Sequence, residues 1–503
     1  MALLIESALQ YHYHTGYDRH QMGGHNLDWT NQPSVYKTYP HINPFYLPKD
    51  VELPQEKLSS VLGNHGRKAS PRSLDVYDLA RIFLLTYSLT AKARHGGYES
   101  YYRCVASAGA LYPTEIYVAT QGVNEVNDGI YHFSIASHGL FLLREGNFME
   151  HMVKITEPSG TRIPTLTFLL SAIFFRSAWK YRDRSYRYHL LDTGHVIENL
   201  ILALKSLALP FSLSYDFDDS EVNRLVGLDE KKEVSLAVIH VQGSQVSPHK
   251  DLPEVTDLPE DIKAASRVSR EEVDYPAIRE IYKAGQPILS PTGSEVEMIN
   301  ELGVIPEEWA EIDLPKTWPE LTNYSETVLA RRSMRNFVGK PISSNCLTAF
   351  LDGLLTTGSE SMESTNDHDR LICTGFLIGN AEGLNPGFYL LNASTSSTGI
   401  VSHGFFTDRM SHICLDQAWL ANAAVQFLFM ANLDTLDQQW GARGYRYAMM
   451  KAGLMGERLY LMATAMGLGC CGIGAFFDGE ASELLGLNQE SRLLYLVAVG
   501  PVR

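Results

Sequence analysis

Among 503 residues there are only six cysteines, at 104, 346, 373, 414, 470 and 471, with no C-x-x-C pair and no Cys/His spacing of a zinc site. That scarcity excludes a disulfide scaffold and leaves a reducing cytoplasm as the simplest compartment. Long apolar runs are also missing. A representative one, AAVQFLFMANL at 423–433, falls well short of the roughly 20 residues a membrane span needs, and Glu6 interrupts the first apolar stretch, so neither insertion nor secretion is expected. Positive charge is scarce too: 42 Lys plus Arg against 58 Asp plus Glu gives −16, which excludes a chain-wide field for nucleic acid. What is present is ordinary globular composition, 45% hydrophobic and 10% aromatic, enough for two or three well-buried cores.

The chain repeats itself. RSYRYHLLDTGHVIENLILALKSLALPFSLSYDFDDSEVNRLVGLD begins at Arg184 and RGYRYAMMKAGLMGERLYLMATAMGLGCCGIGAFFDGEASELLGLN at Arg443. The offset, 443 − 184 = 259, holds without a gap through Tyr186/Tyr445, Gly194/Gly453, Glu198/Glu457, Asp219/Asp478 and Gly227/Gly486. Apolar residues at helical spacing in each copy are followed by a strand-like run, VSLAVIHV (234–241) or LLYLVAVG (493–500). Upstream, 75–89 reads as a helix and 114–120, 129–135 and 139–143 as strands, an α+β pattern. Residues 244–325 are Pro-rich and acidic and are expected to wrap the surface as a connector between domains 1–243 and 326–503.

Several stretches together resemble the nitroreductase-like FMN oxidoreductases, and within them the SagB/ThcOx-type dehydrogenases: YHYHTG…LDWTNQPSVYKTYP (11–40), ASAGALYPTEIYV (106–118), WKY (179–181), RSYRYHLLDTGH (184–195), LARRSMRNF (329–337) and MGLGCCGIGAFFD (466–478). The resemblance implies two tandem nitroreductase-like domains, each an antiparallel or mixed sheet flanked by helices, paired as an intramolecular pseudo-dimer. A monomer, or a dimer of such chains, is then expected.

Arg331, Arg332, Ser333 and Arg335 form a basic cluster before a helix-like run, where guanidinium forks and a hydroxyl suit a phosphate dianion. Composition alone favours a solvated basic face; the resemblance reverses this and implies the FMN phosphate. Ser107, Ala108 and Gly109 read as a small-residue turn, and the resemblance implies a loop at the flavin's pyrimidine edge. Gly467, Gly469 and Gly472 spell a formal G-x-G-x-x-G, but it follows a helix rather than a strand, so Rossmann binding is not expected. By resemblance this glycine-rich turn, with Gly472, Ile473 and Gly474, lies beside the isoalloxazine. Cys470 and Cys471 are expected to be packed.

Lys180 and Tyr181 are the sharpest clue. In azoline-oxidising relatives a Lys-Tyr pair carries the proton chemistry, whereas the 259 offset puts Gln439 and Trp440 in the second copy. A base beside the flavin needs a lowered pKa, for which Arg182 and Arg184 are near in sequence to Tyr181. Without the resemblance, WKYRDR reads equally as an exposed charged segment. His12-x-His14 lacks a carboxylate or Cys framework, so no metal is expected, and His195 reads as structural.

The recognition elements are unequally shared. Opposite RRSMR, half one has GNHGR (63–67, offset 342 − 74 = 268), keeping only Arg67; opposite the glycine run it has ALPFSLSYDF with Pro210. Half two has LICTGFLIGNAEGLNPGFYLL (371–391) where the Ser-Ala-Gly loop belongs. One FMN site per chain is therefore expected, oxidising an azoline-type peptide or small-molecule intermediate, with NAD(P)H or oxygen as redox partner. The alternatives are an NAD(P)H-dependent nitro or quinone reductase and a noncatalytic flavin- or peptide-binding scaffold.

Overall fold

The computed structural model describes residues 4–503 except 25, 64–68, 96–97, 157–161, 245–252, 290–295 and 357–370. Arg67 and most of its segment thus lie outside the described residues.

Two seven-stranded sheets carry the chain. In space, the first runs Phe45–Tyr46, Gly139–Glu145, Gly129–Ser134, Thr114–Thr120, Leu166–Ile173, Glu233–Val241, Phe211–Ser214. The second runs Glu308–Glu311, Ser397–His403, Gly387–Asn392, Cys373–Ile378, Val425–Asn432, Ser491–Gly500, Gly469–Ile473. Counting strands within each sheet in chain order, both have the order first, fourth, third, second, fifth, seventh, sixth, and all pairings are antiparallel. The central strands are buried on both faces, which accounts for their continuous apolar runs. Glu308–Glu311, inside the expected connector, is the edge strand of the second sheet.

Two long helices, Ser185–Ser206 and Arg443–Ala465, cross at the centre and form the join between the halves. They are buried nearly all round, and the charged residues they carry, among them Arg187, Glu198, Arg446 and Arg458, are enclosed with them. Their N-terminal ends make reciprocal clamps. Arg184 and Arg187 donate to Asp478 at 2.7 and 2.6 Å; 259 positions on, Arg443 and Arg446 donate to Asp219, Arg446 at 2.7 Å. Each clamp crosses from one half to the other, the isologous contact a two-fold dimer makes. His12, buried in the Asp478 clamp beside Arg187 and Tyr445, is driven by burial down to a pKa of about 3. Among the described residues no helix is long and apolar enough to cross a membrane.

Candidate active site

The helix Phe174–Tyr181 ends on the Lys-Tyr pair because Arg182 turns the chain at φ 51°, ψ −138°. Glycine occupies the corresponding turn in half two, Gly441 at φ 59°, ψ −160°. Lys180 and Tyr181 are therefore the half-buried last turn of a helix, not an exposed charged run.

The loop Ser107–Tyr112 faces them. Gly109, Ala110 and Tyr112 all have positive φ (66°, 54° and 48°), a concentration of strain that marks functional loops. A Cβ on Gly109 would stand 2.7 Å from Tyr181 Oη and 3.2 Å from Lys180 Nζ, so the absent side chain is what lets the pair reach the loop.

Half two closes the cleft. Arg331 is buried and donates through Nε to Cys104 O at 2.6 Å and through Nη2 to Arg103 O at 3.1 Å, just before the loop. Its Nη1 is buried without a hydrogen-bond partner. Arg332 is a strut: its guanidinium donates to Thr90 Oγ1 and O at 2.9 and 2.7 Å, on the hairpin Leu89–His95/Tyr98–Arg103. Ser333 Oγ lies 2.9 Å from Tyr460 Oη, which accepts from Gly472 N–H at 2.7 Å. Arg335 is exposed beside Cys471. Gly474 O accepts from Tyr188 Oη at 3.2 Å, and the Tyr188 ring packs on Tyr181 at 4.5 Å. Both halves thus meet beside Tyr181, through Tyr188 and Gly474 and through Arg331 before the loop, whereas Arg332 is taken up by Thr90.

Two expectations are corrected. Gly469–Ile473 is an edge strand paired with the last strand, not a free turn; its glycines fit close packing, since a Cβ on Gly472 would stand 1.8 Å from Tyr495 Oη. Nor do Arg182 and Arg184 lower the Tyr181 pKa. Arg184 is committed to Asp478, and burial, with Asp192 next, pushes the Tyr181 phenol well up; only Arg335 opposes. It is Lys180 whose pKa is lowered, by burial and then by Arg335.

Three residues that sequence reasoning missed hold the loop. Asp192 accepts from Ser107 Oγ at 2.6 Å and from Ala108 N–H at 3.2 Å, and burial raises its pKa to about 7. Glu457, also raised to about 7 by burial, reaches Ala106 N–H at 3.4 Å from the other long helix. Beneath, Arg176 donates to Tyr112 O at 3.0 Å while paired with Glu115. A signal for Asp192 existed: the offset places Lys451 opposite it (192 + 259), a break in the repeat like that at Lys180 and Tyr181. His195 Nδ1 donates to Leu191 O, and its Nε2 faces Tyr495 Oη and the Glu457 carboxylate.

The comparisons bear on the fold and the family. The model of the Nitroreductase family matches residues 53–243 and 380–501, more than half the chain. A Methanocaldococcus jannaschii protein provisionally named nitroreductase MJ1384 is 26% identical over 191 residues, 37% of this chain and 93% of its own length. Trifolitoxin-processing protein TfxB of Rhizobium leguminosarum bv. trifolii is 28% identical over 237 residues, 44% of this chain and 63% of that protein, so the match spans less than two thirds of it. A crystal structure from Anabaena variabilis, provisionally called a nitroreductase, superposes with TM-score 0.78 at 27% identity over 99% of this chain and 100% of that one. The chain belongs to the nitroreductase family, with the fold present twice in tandem.

Proposed function

We propose that the chain is an FMN-dependent dehydrogenase with one active site, oxidising an azoline-type ring on a peptide or related biosynthetic intermediate. The observation that carries this reading is the seating of Lys180 and Tyr181 against Gly109, under Arg335 from the other half. The residues present suit FMN. Exposed Arg335 and Ser333 and the unpartnered buried Nη1 of Arg331 are donors for its anionic and carbonyl oxygens, and Ser107–Gly109 offers small-residue backbone to a flat ring. Bound FMN would supply a two-electron hydride acceptor.

Removing hydride from a carbon next to nitrogen also requires loss of a proton. Lys180, biased toward the neutral amine, takes that proton on Nζ. Tyr181, held as the neutral phenol, donates a hydrogen bond from Oη and orients the ring being oxidised. Asp192 and Glu457 keep the facing loop in register. A peptide substrate is supported by the likeness to a trifolitoxin-processing protein. One flavin per chain is supported by Gln439, Trp440 and Lys451 at the mirrored positions; 371–391, expected in the place of the Ser107–Gly109 loop, carries the strands Cys373–Ile378 and Gly387–Asn392 instead, and the 259 offset from the loop falls on 366–368, outside the described residues.

The test is an absorption spectrum with flavin stoichiometry, then mass spectrometry of thiazoline- and oxazoline-bearing peptides for loss of two hydrogens. Turnover of NAD(P)H with a nitroarene or quinone that survives Lys180→Ala and Tyr181→Phe would favour the reductase reading, to which the M. jannaschii likeness points. A protein that stays colourless with added FMN would favour the scaffold reading.

A further inference from the structure

Half one carries an element that the repeat does not account for. Helix Val76–Tyr87 corresponds to Ser344–Leu355 at 344 − 76 = 268. The strands that follow correspond at 378 − 120 = 258, since Thr120 and Ile378 pair with the equivalent residues Leu166 and Val425. Half one therefore has ten more residues, 268 − 258, between helix and strand. That length is spent on the hairpin Leu89–His95/Tyr98–Arg103, whose strands pair only with each other among the described residues. A two-stranded sheet is marginally stable alone, and alternate residues of each strand turn N–H and C=O outward without a ladder partner.

The hairpin is anchored at the cleft. Its second strand runs into Cys104; Arg103 O and Cys104 O accept from Arg331, and Arg103 N–H donates to Tyr112 Oη at 3.2 Å. Its first strand is met at Thr90 by Arg332, the neighbour of exposed Ser333. Beyond Thr90, no backbone bond joins Leu89–His95 to another described segment. The side chains there are basic. Lys92 and Arg94, exposed and two apart on one face, share the single carboxylate of Glu99 at 2.7 and 3.0 Å, and Lys92 Nζ lies 5.4 Å over the Tyr101 ring. One positive charge is left in excess, in a chain of net charge −16.

We propose that the open edge of Leu89–His95 is where the peptide substrate docks, an extended segment adding itself as a third strand with acidic side chains at alternate positions facing Lys92 and Arg94. The inference rests on the peptide-oxidising reading given above. Three features favour this occupant. An open edge accepts only extended backbone, the surplus cation selects acidic side chains, and the strand begins at Arg332, so a peptide paired along it is led to Ser333 and Arg335 in the cleft. Main-chain bonds give affinity whatever the sequence, and the two cations set the register.

The probes are three fluorescein-labelled peptides mixed with the full chain: Thr-Glu-Val-Glu-Val-Thr-amide, the same sequence N-methylated at its four central residues, and Thr-Lys-Val-Lys-Val-Thr-amide. Anisotropy should show saturable binding of the first with a Kd below about 1 mM, and binding at least about tenfold weaker for each of the others. Lys92→Glu combined with Arg94→Glu, both surface substitutions, should weaken the first about tenfold or more. At saturation the acidic peptide should slow hydrogen exchange in the fragment covering Leu89–His95. No saturation by roughly 5 mM, equal binding of the N-methylated or the lysine peptide, undiminished binding to the double variant, or unchanged exchange at Leu89–His95 would each overturn the proposal. Neither readout needs flavin or turnover. A chain that binds the acidic peptide in this way yet removes no hydrogen from azoline peptides keeps the docking edge and loses the dehydrogenase reading; one that oxidises them with the edge unprotected loses only the docking edge.

Discussion

Gly194 and Gly453, equivalent residues of the two halves, meet where the long helices cross. A Cβ on Gly194 would stand 2.1 Å from Met450 O and 2.9 Å from Gly453 Cα; one on Gly453 would stand 2.2 Å from Leu191 O. Backbone meets backbone, so no side chain can move aside. Gly194→Ala should cost about 3 kcal/mol or more and loosen the pairing of the halves. Urea denaturation with a fluorescence readout checks this; wild-type stability would show that the crossing can relax.

Lys180→Ala and Tyr181→Phe should each keep flavin yet lower azoline oxidation by about 10²- to 10⁴-fold, the range for loss of a positioned acid or base. Single-turnover flavin reduction under anaerobic conditions reads the step directly.

Arg335 depresses the Lys180 pKa by charge. Arg335→Gln should therefore let Lys180 hold its proton to higher pH, moving the acidic limb of the kcat/KM profile upward. The measurement is made at saturating FMN, so that altered cofactor affinity does not mask the shift. A limb that stays in place would remove Lys180 as the titrating base.

Asp192 has its folded pKa raised to about 7 from an ordinary 3.8. Between those pH values the folded state keeps a proton that the unfolded chain releases. Stability therefore falls as pH rises through that window, by up to about 1.4 kcal/mol per pH unit, and levels off above it. Asp192→Asn should remove this share of the slope and leave that of Glu457, which is raised in the same way. Denaturation midpoints from pH 4 to 8 on both proteins, roughly one per pH unit, test it.

Arg182 holds a backbone conformation that suits glycine, next to the residues doing the proposed chemistry. Arg182→Gly should raise stability by ~1 kcal/mol by releasing strain. Thermal denaturation is the check, and a lower Tm would mean that the Arg182 side chain contributes more than its backbone costs.

Much of the architecture was legible because it is local or repeated. The apolar run at 114–120 is the strand Thr114–Thr120, and the helix at 75–89 is Val76–Tyr87, opened by the Asp75/Asp78 capping box. The 259 offset revealed two copies, because residues buried at a two-fold join are constrained alike on both sides. Residue type also pointed to the regions that converge on the cleft, since guanidinium, hydroxyl and small-residue segments carry their chemistry wherever they fold.

Only the tertiary structure decided which donors are available and which way the protons lean. Arg332 is used by Thr90, Arg184 by Asp478, and Tyr181 is buried near Asp192, partners 242, 294 and 11 residues distant in the chain. A pKa is set by desolvation and by charges a few ångströms away, quantities that sequence neighbours do not define.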